Sequence, residues 1–484
     1  MNDLVALSVA SEIYPLIKTG GLADVAGALP GALAREGVTT RTLTPGYPSL
    51  LAKLETVTPA RDYPALFGGP ARLLDARGGG LDLFVLDAPH LFDRPGSPYL
   101  GADGRDWPDN ALRFAALSRV GADLAKGELG GFVPEVVHVH DWQAALTPAY
   151  LHYDGGPRPG VVLTIHNLAF QGHFPASLLG ALWLPPRAMS IDGVEYFQGV
   201  GFLKAGLQFA DRITTVSPTY AREIMTPQFG MALDGLLRAR ASSVEGIVNG
   251  IDDVVWNPAT DPQLAQNYSA LRVDQRPRNK AALQQRFALA TSYETPLFGL
   301  VSRLTRQKGV DLLLDSLPAL IGHGAQLALL GAGEKLFQDG FAAAAAEHAG
   351  VVGCVFGYDE ALAHHMQAGA DFILVPSRFE PCGLTQLCAL RYGAMPVVAR
   401  VGGLADTVID ANDAALGAGV ATGVQFSPPD VPALSYAIER AIGLYRDVAT
   451  MRRIRLNGMR ADVSWRGPAK RYAAIYRSLA KVPR

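Results

Sequence analysis

The hydrophobic positions gather into short, β-branched runs, each followed by a turn and then by a longer stretch with helical spacing. In the first half the runs lie at residues 4–9, 83–86, 136–139, 161–165 and 213–216. A strand, a turn and a helix in repetition predict βα units on a parallel sheet, because parallel neighbours need a crossover and a helix is the usual one. A second series begins near residue 297 with PLFGLVS and continues through QLALLGAG, FILVPS and MPVVA, again separated by helix-length segments. This predicts a second parallel sheet. Between the two series, residues 246–262 (GIVNGIDDVVWNPATDP) are rich in turn formers and lack periodicity, which marks a domain junction. The tail KRYAAIYRSLAK sets Tyr472, Ile475, Tyr476 and Leu479 at i, i+3, i+4 and i+7, a helix with one apolar face that must be covered. The expected division is 1–250, 251–462 and a terminal helix in 463–484.

Length agrees with two bodies, since 484 residues exceed the roughly 250–300 at which a single core stops growing. A net charge of −2 supplies no overall positive field for a nucleic acid or an anionic membrane, so any anionic ligand is met by a local cluster. Hydrophobic residues at 49% against 18% charged exclude a disordered chain. No stretch approaches the roughly 18 uninterrupted apolar residues of a membrane span, and the first residues lack the basic region and cleavage site of a signal peptide. Three cysteines, Cys354, Cys382 and Cys388, have neither zinc-site nor disulfide-framework spacing. A soluble protein of the reducing cytoplasm is expected.

One pentapeptide occurs twice, as Gly20-Gly21-Leu22-Ala23-Asp24 and as Gly402-Gly403-Leu404-Ala405-Asp406, each time after a predicted strand and before a helical stretch. Plain strand-to-helix packing accounts for either copy alone. Matching positions in two Rossmann-like halves favour a ligand role, because paired glycines before a helix let backbone N–H groups approach an anion. Lys18 precedes the first copy, making residues 18–22 a phosphate or sugar cradle on one reading and a solvated lysine beside a turn on the other. In the second half, Arg303, Arg306 and Lys308 crowd the start of a helix, where the dipole disfavours cations. Arg303 and Lys308 read as clamps for a diphosphate and Arg306 as solvent-facing. Glu380, between strand FILVPS and a Pro-Cys-Gly turn, is placed to accept sugar hydroxyls where open α/β sheets bind ligands, or to serve as a helix N-cap partner.

The first half also carries His138-Val139-His140-Asp141-Trp142 and Thr164-Ile165-His166-Asn167-Leu168 at strand ends. Alternating histidines on a strand admit a zinc site. They equally describe buried histidines satisfied by backbone groups, and Trp142 beside Asp141 suits a carbohydrate, whose ring faces stack on aromatics.

The ordered motifs KTGGLADV, HVHDW, TIHNLAFQG, VSRLTRQKG, RFEPCGLTQL and VGGLADTV resemble those of bacterial glycogen synthases over essentially the whole chain. The resemblance implies an α/β GT-B fold, two Rossmann-like domains facing across a deep cleft, the first binding glucan acceptor and the second most of the nucleotide, with the terminal helix crossing back to the first. It further implies transfer of glucose from ADP-glucose to the non-reducing end of an α-1,4-glucan with retention of configuration, no metal and no other cofactor. By motif, Lys18, with Gly20 and Gly21, would meet the donor diphosphate. Arg303 and Lys308 would neutralise the departing ADP, and Glu380 would face the donor sugar. Gly383, Leu384 and Thr385 would offer backbone or hydroxyl groups. Tyr358 would pack on adenine and His166 would border the reacting carbon, while Asp141, Asn167 and Tyr99 would line the acceptor side. One departure concerns the wider retaining-transferase pattern: eight residues after Glu380, where a second glutamate meets ribose, stands Cys388.

Rival classes each leave something unexplained. A metal-dependent hydrolase built on His138 and His140 requires tightly bound zinc and activity that a chelator abolishes, and a non-catalytic glucan-binding protein has no use for Arg303 and Lys308. A dehydrogenase lacks the third glycine after Gly331-Ala332-Gly333, and no G-x-S-x-G supports a serine hydrolase.

Overall fold

The apolar runs of the first half become strands of one nine-stranded sheet in the computed structural model, which describes residues 3–480. Along the chain come β1 (Leu4–Val9), β2 (Val38–Pro45), β3 (Thr56–Leu66), β4 (Gly69–Gly78), β5 (Leu81–Asp87), β6 (Val136–His140) and β7 (Gly160–Ile165). A small separate sheet of β8 (His173–Pro175), β9 (Glu195–Tyr196) and β10 (Gly199–Gly201) follows, and then β11 (Arg212–Thr215) and β12 (Val244–Gly246) complete the large one. Its order is β12-β11-β7-β6-β1-β2-β5-β4-β3. Only the edge pairs β5–β4 and β4–β3 run antiparallel. Every residue of β6 and β7 is buried, as expected of central parallel strands covered on both faces.

The second half forms a six-stranded, all-parallel sheet from β13 (Leu297–Val301), β14 (Gln326–Gly331), β15 (Val352–Phe356), β16 (Phe372–Val375), β17 (Met395–Ala399) and β18 (Val424–Phe426), in the order β15-β14-β13-β16-β17-β18. Contacts divide the chain into one unit running to Asn249 and resuming at Trp465, and a second spanning Gly250–Ser464. Each sheet reverses its direction of growth once, between β1 and β6 in the first unit and between β13 and β16 in the second. The loops leaving the carboxyl ends of such neighbours diverge to opposite faces and leave a crevice between them, where open α/β sheets bind ligands.

The helix Arg466–Ala480 belongs to the first unit. Its apolar stripe of Tyr472, Ile475, Tyr476 and Leu479 is buried with Val25, Leu29 and Leu33 of the helix Gly21–Ala34 and with Val136 and Val162 of the sheet. A side chain at Gly160 would lie 2.7 Å from the Leu479 Cβ, so the close approach of this helix to β7 requires glycine there. Among the described residues no helix is long and apolar enough to cross a membrane.

Candidate active site

In the first unit the loops after β1, β6 and β7 bring polar side chains to the switch point. After β1 the chain turns through Ser11 and Glu12, both buried. Glu12 Oε2 accepts the Thr19 amide at 2.5 Å, and Ser11 shares a 2.8 Å hydrogen bond with the Tyr99 hydroxyl. Burial raises the Glu12 carboxyl, against hydrogen bonds from Thr19 and Tyr99 that lower it. It also pushes the Tyr99 phenol well above its usual range, helped by the negative charge of Glu12.

Asp141 follows β6 with φ 53°, a left-handed backbone that aspartate tolerates better than most residues. That turn aims Oδ1 at the next strand end, where it accepts the amides of His166 at 2.7 Å and Asn167 at 3.4 Å. Burial drives its carboxyl up to about 7, the two amides pulling the other way. His140 Nδ1 and His166 Nε2 lie 3.0 Å apart, one donating and one accepting. Burial holds His166 neutral and takes His140 down to about 3. Asn167 closes its own turn by accepting the Ala169 amide. The structure therefore gathers Tyr99, Asp141, His166 and Asn167 around Glu12, a residue with no role in the motif reading. Glu12 sits in an aperiodic turn, and its only signal is an acid three residues beyond a buried strand.

Two sequence readings of this region are corrected. Trp142 is not a sugar platform: it is 8% exposed, packed edge-on against Phe114 at 5.0 Å, with Gly172 held so close that a Cβ there would lie 2.3 Å from the indole. His138 is not poised for a metal, because Nδ1 bonds the Tyr476 hydroxyl at 2.7 Å and Nε2 the Thr164 hydroxyl at 2.5 Å, which occupies both ring nitrogens. It is a structural histidine, satisfied by side chains rather than by backbone.

Lys18 pairs with Asp24 at 2.8 Å, on the first turn of the helix Gly21–Ala34. Gly20 caps that helix in extended backbone, and a Cβ there would meet nothing within 4 Å.

In the second unit the loops after β13 and β16 carry the cations and Glu380. Gly309 takes φ 67°, and a Cβ there would stand 1.9 Å from the Pro376 carbonyl, so the two loops are packed backbone to backbone at this point. Lys308 Nζ lies 2.5 Å from Glu380 Oε2, which also accepts the Ser377 hydroxyl at 2.9 Å. Arg303 and Arg306 are exposed. An acid does stand at this helix start: Asp311, in the first turn of the helix Val310–Gly322, is held by both guanidinium nitrogens of Arg378 at 2.6 and 2.7 Å, which keep its carboxyl below the usual range despite burial.

Gly383, at φ 75°, and Leu384 lead into the helix Thr385–Tyr392, whose first-turn amides have no intrahelical acceptor. Gln386 pins this loop by donating to the carbonyls of Cys382 at 3.0 Å and Gly383 at 2.7 Å. Cys388 is buried beside Ile251 and Leu387, with Trp256 and Val463 against them, so an apolar cluster stands where the wider pattern has an acid. Tyr358 is 76% exposed, its hydroxyl bonded to Glu360 at 2.8 Å.

Comparison with known proteins identifies this arrangement. Residues 6–239 match the family model described as starch synthase catalytic domain, and residues 283–455 that of the glycosyl transferases group 1. The chain is 61% identical over 479 residues to a glycogen synthase of Rhodopseudomonas palustris, covering 99% of this chain and 98% of that one. It is 58% identical to a glycogen synthase of Methylocella silvestris, covering 99% and 100%. Among solved structures, the catalytic domain of Starch Synthase IV from Arabidopsis thaliana, bound to ADP and acarbose, is similar with a TM-score of 0.88 at 31% identity over the full length of both chains. Sucrose-phosphate synthase from Thermosynechococcus elongatus, at 18% identity over 99% of each chain and a TM-score of 0.59, shares the fold. Full-length identity of this order, on two Rossmann-like sheets with polar loops at both switch points, shows that the chain belongs to the glycogen synthase family of GT-B glucosyltransferases.

Proposed function

We propose that the protein transfers glucose from ADP-glucose to the non-reducing end of an α-1,4-glucan with retention of configuration, its second unit holding the nucleotide and its first the acceptor. The observation that carries this reading is the Lys308–Glu380 pair on adjoining loops at the switch point of the second sheet, with Arg303 on the same loop as Lys308. An ammonium has three N–H donors. Glu380 takes one, and the others are available to diphosphate oxygens. As the bond from the sugar to the diphosphate breaks, negative charge builds on the leaving group, and fixed cations that bind this charge more tightly than the ground state lower the barrier. On this reading Arg303 and Lys308 supply the charge without a metal ion.

Retention proceeds by front-face attack. The acceptor hydroxyl approaches on the side from which ADP departs, and its proton passes to a leaving phosphate oxygen. A double displacement needs a carboxylate close beneath the sugar. Asp141 is turned onto two backbone amides and Glu12 onto the Thr19 amide, which supports the single-step route. Lys18, Gly20 and Gly21 approach the diphosphate, Gly383, Leu384 and Thr385 the sugar and phosphate, Tyr358 the adenine, and Tyr99, Asn167 and His166 the acceptor side and reacting carbon. The setting is the cytoplasm.

Incorporation of labelled glucose into glycogen from ADP-glucose and from UDP-glucose, each with and without EDTA, tests the reading. ADP-glucose is the preferred donor and EDTA leaves the rate unchanged. Equal use of the two donors overturns the nucleotide assignment, loss of rate in EDTA overturns the metal-free mechanism, and a trapped glucosyl-enzyme overturns the single displacement.

A further inference from the structure

We propose that a cavity beneath the Tyr99 loop of the first unit binds a phosphate group, either inorganic phosphate or the phosphate of a small monoester. The cavity measures about 160 Å³, an order of magnitude more than the roughly 10–15 Å³ that admits a water. Its walls come from the segments leaving β1 (Ile17), β2 (Tyr47 and the exposed Ser49) and β5 (Arg94 and Ser97), and from Arg113 of the helix Asn110–Ala125. The three strands are parallel neighbours, so these segments share the carboxyl edge of the sheet. Among the described residues no carboxylate lines the cavity.

Two side chains in this wall are buried without a counterpart. Arg113 is 1% exposed, and a guanidinium so buried is ordinarily paired with an acid. Its Nε donates to the Leu91 carbonyl at 2.7 Å and its Nη1 to the Pro98 carbonyl and Asn110 Oδ1 at 2.8 and 2.7 Å. Both N–H groups of Nη2 are left without an acceptor among the described residues. Arg94 takes both oxygens of Asp109, so two cations stand here against one acid. Tyr47 is 4% exposed and its hydroxyl has no hydrogen-bond partner. Burial holds that phenol well above its usual range, against the pull of the Arg113 charge, so it remains a donor. Ser97 Oγ accepts the amides of Tyr99 at 3.2 Å and Leu100 at 3.4 Å, which leaves its own O–H to donate. Water offers a hydroxyl an acceptor but brings no charge to a buried guanidinium, whereas an anion does both. Donors drawn from three segments, rather than from one planar fork, suit the tetrahedral oxygens of phosphate better than a flat carboxylate.

Occupancy bears on Tyr99. Arg113 holds the Pro98 carbonyl, and Asn110, which accepts from Arg113, donates to the Tyr99 carbonyl at 3.0 Å. A phosphate that fixes Arg113 and Ser97 therefore stiffens the loop that presents the Tyr99 ring. Its effect on the reaction rests on the acceptor reading given above: a loop already ordered costs less to order when glucan binds, so the KM for glycogen falls while kcat stays.

The test titrates the full chain, saturated with ADP to fill the donor site, with inorganic phosphate, glycerol phosphate and acetate by calorimetry at constant ionic strength. One site per chain saturates with phosphate or glycerol phosphate, the tighter of the two naming the source, and acetate binds at least about tenfold more weakly. Tyr47→Phe loses about tenfold in affinity, as for a hydrogen bond to a charged group. Its thermal midpoint without phosphate stays level or rises, because the hydroxyl has no protein partner to lose. Ser49→Glu sets a negative charge on an exposed wall residue, which weakens binding and leaves the buried wall intact. No saturable binding, or parental binding in both variants, overturns the site, and equal binding of acetate overturns the choice of phosphate. At saturating donor, phosphate lowers the KM for glycogen about fivefold in the parent and not in Tyr47→Phe. Binding that leaves this KM unmoved overturns the coupling through Tyr99. A chain that binds phosphate yet transfers no glucose to glycogen counts instead against the acceptor reading.

Discussion

Residues 20–24 and 402–406 share the sequence Gly-Gly-Leu-Ala-Asp, and each copy lies at the start of a helix. In both, the leucine is buried and ties the helix to its core. The glycines serve opposite ends. At Gly402 the backbone takes φ 42°, and a Cβ would stand 1.9 Å from the Glu380 carbonyl; at Gly403 it would stand 2.3 Å from the Cys382 carbonyl. There the absent side chains are filled by protein, and the helix presses on the loop that positions Glu380. At Gly20 the backbone is extended and nothing lies within 4 Å of a built Cβ. Neither packing nor conformation asks for glycine at Gly20, which leaves room for a ligand as the reason. One motif thus fixes the Glu380 loop in one unit and leaves an approach open in the other.

The largest expected effects divide the copies by kind. Lys308→Met lowers kcat by a factor of about 10² to 10³, as for loss of other preorganised charge contacts in a closed site, measured at saturating donor. Gly403→Ala costs about 3 kcal/mol or more of unfolding free energy, because backbone, and not a movable side chain, fills the space. Gly20→Ala stays within about 0.5 kcal/mol of the parent in urea unfolding, yet loses about tenfold or more in kcat/KM for the donor, the cost of an intruding methyl at a close approach. A Gly403→Ala chain as stable as the parent, or a Gly20→Ala chain with parental kinetics, breaks the comparison.

Acid separates the units further. His138, His140 and His166 are neutral in the folded first unit but charge when unfolded below their ordinary pKa, so the unfolded chain binds about three more protons there. Asp141, held near 7 when folded, works in reverse: between about pH 4 and 6.5 the folded form carries a proton that the unfolded form has lost. Through these four groups the stability of the first unit falls as the pH drops below about 6.5, with a slope of about two protons that the raised Glu12 carboxyl lessens. Asp141→Asn, which keeps the acceptor and suits the left-handed backbone, steepens it to about three. Hydrogen exchange followed separately in the two units measures both slopes. The smallest effect is at Lys18: its pair with Asp24 is about a quarter exposed on each side, so Lys18→Ala changes stability by less than about 0.5 kcal/mol and registers mainly as a higher donor KM.

The buried parallel strands were legible because their composition has no alternative use. Leu4–Val9 and β7 are continuous β-branched or apolar runs bounded by turns, and the four runs of the second half became β13, β14, β16 and β17. The β3–β4 hairpin was not. TVTPARDYPAL contains two prolines and is mostly exposed, so it reads as a loop and pairs only because it lies at the sheet edge. Motif reading located Lys308 and Glu380 but not Ser377, Gln386 or the Arg378–Asp311 pair, whose work is to hold loops and depends on contacts between segments far apart in sequence. Trp142 was misread because an aromatic beside an acid looks the same in sequence whether it faces a sugar or the rings of Phe114, Phe174 and Phe202.

The tie between Tyr476 and His138 has a consequence for biosynthesis. The strand that receives the tyrosine emerges from the ribosome more than three hundred residues before the helix that supplies it, and all of the second unit is made in between. Throughout that interval the apolar face of Val25, Leu29, Val136 and Val162 waits without its cover, a nascent surface suited to chaperone capture. Release of a finished first unit is thereby coupled to completion of the second, so a truncated messenger yields a chain that quality control can recognise.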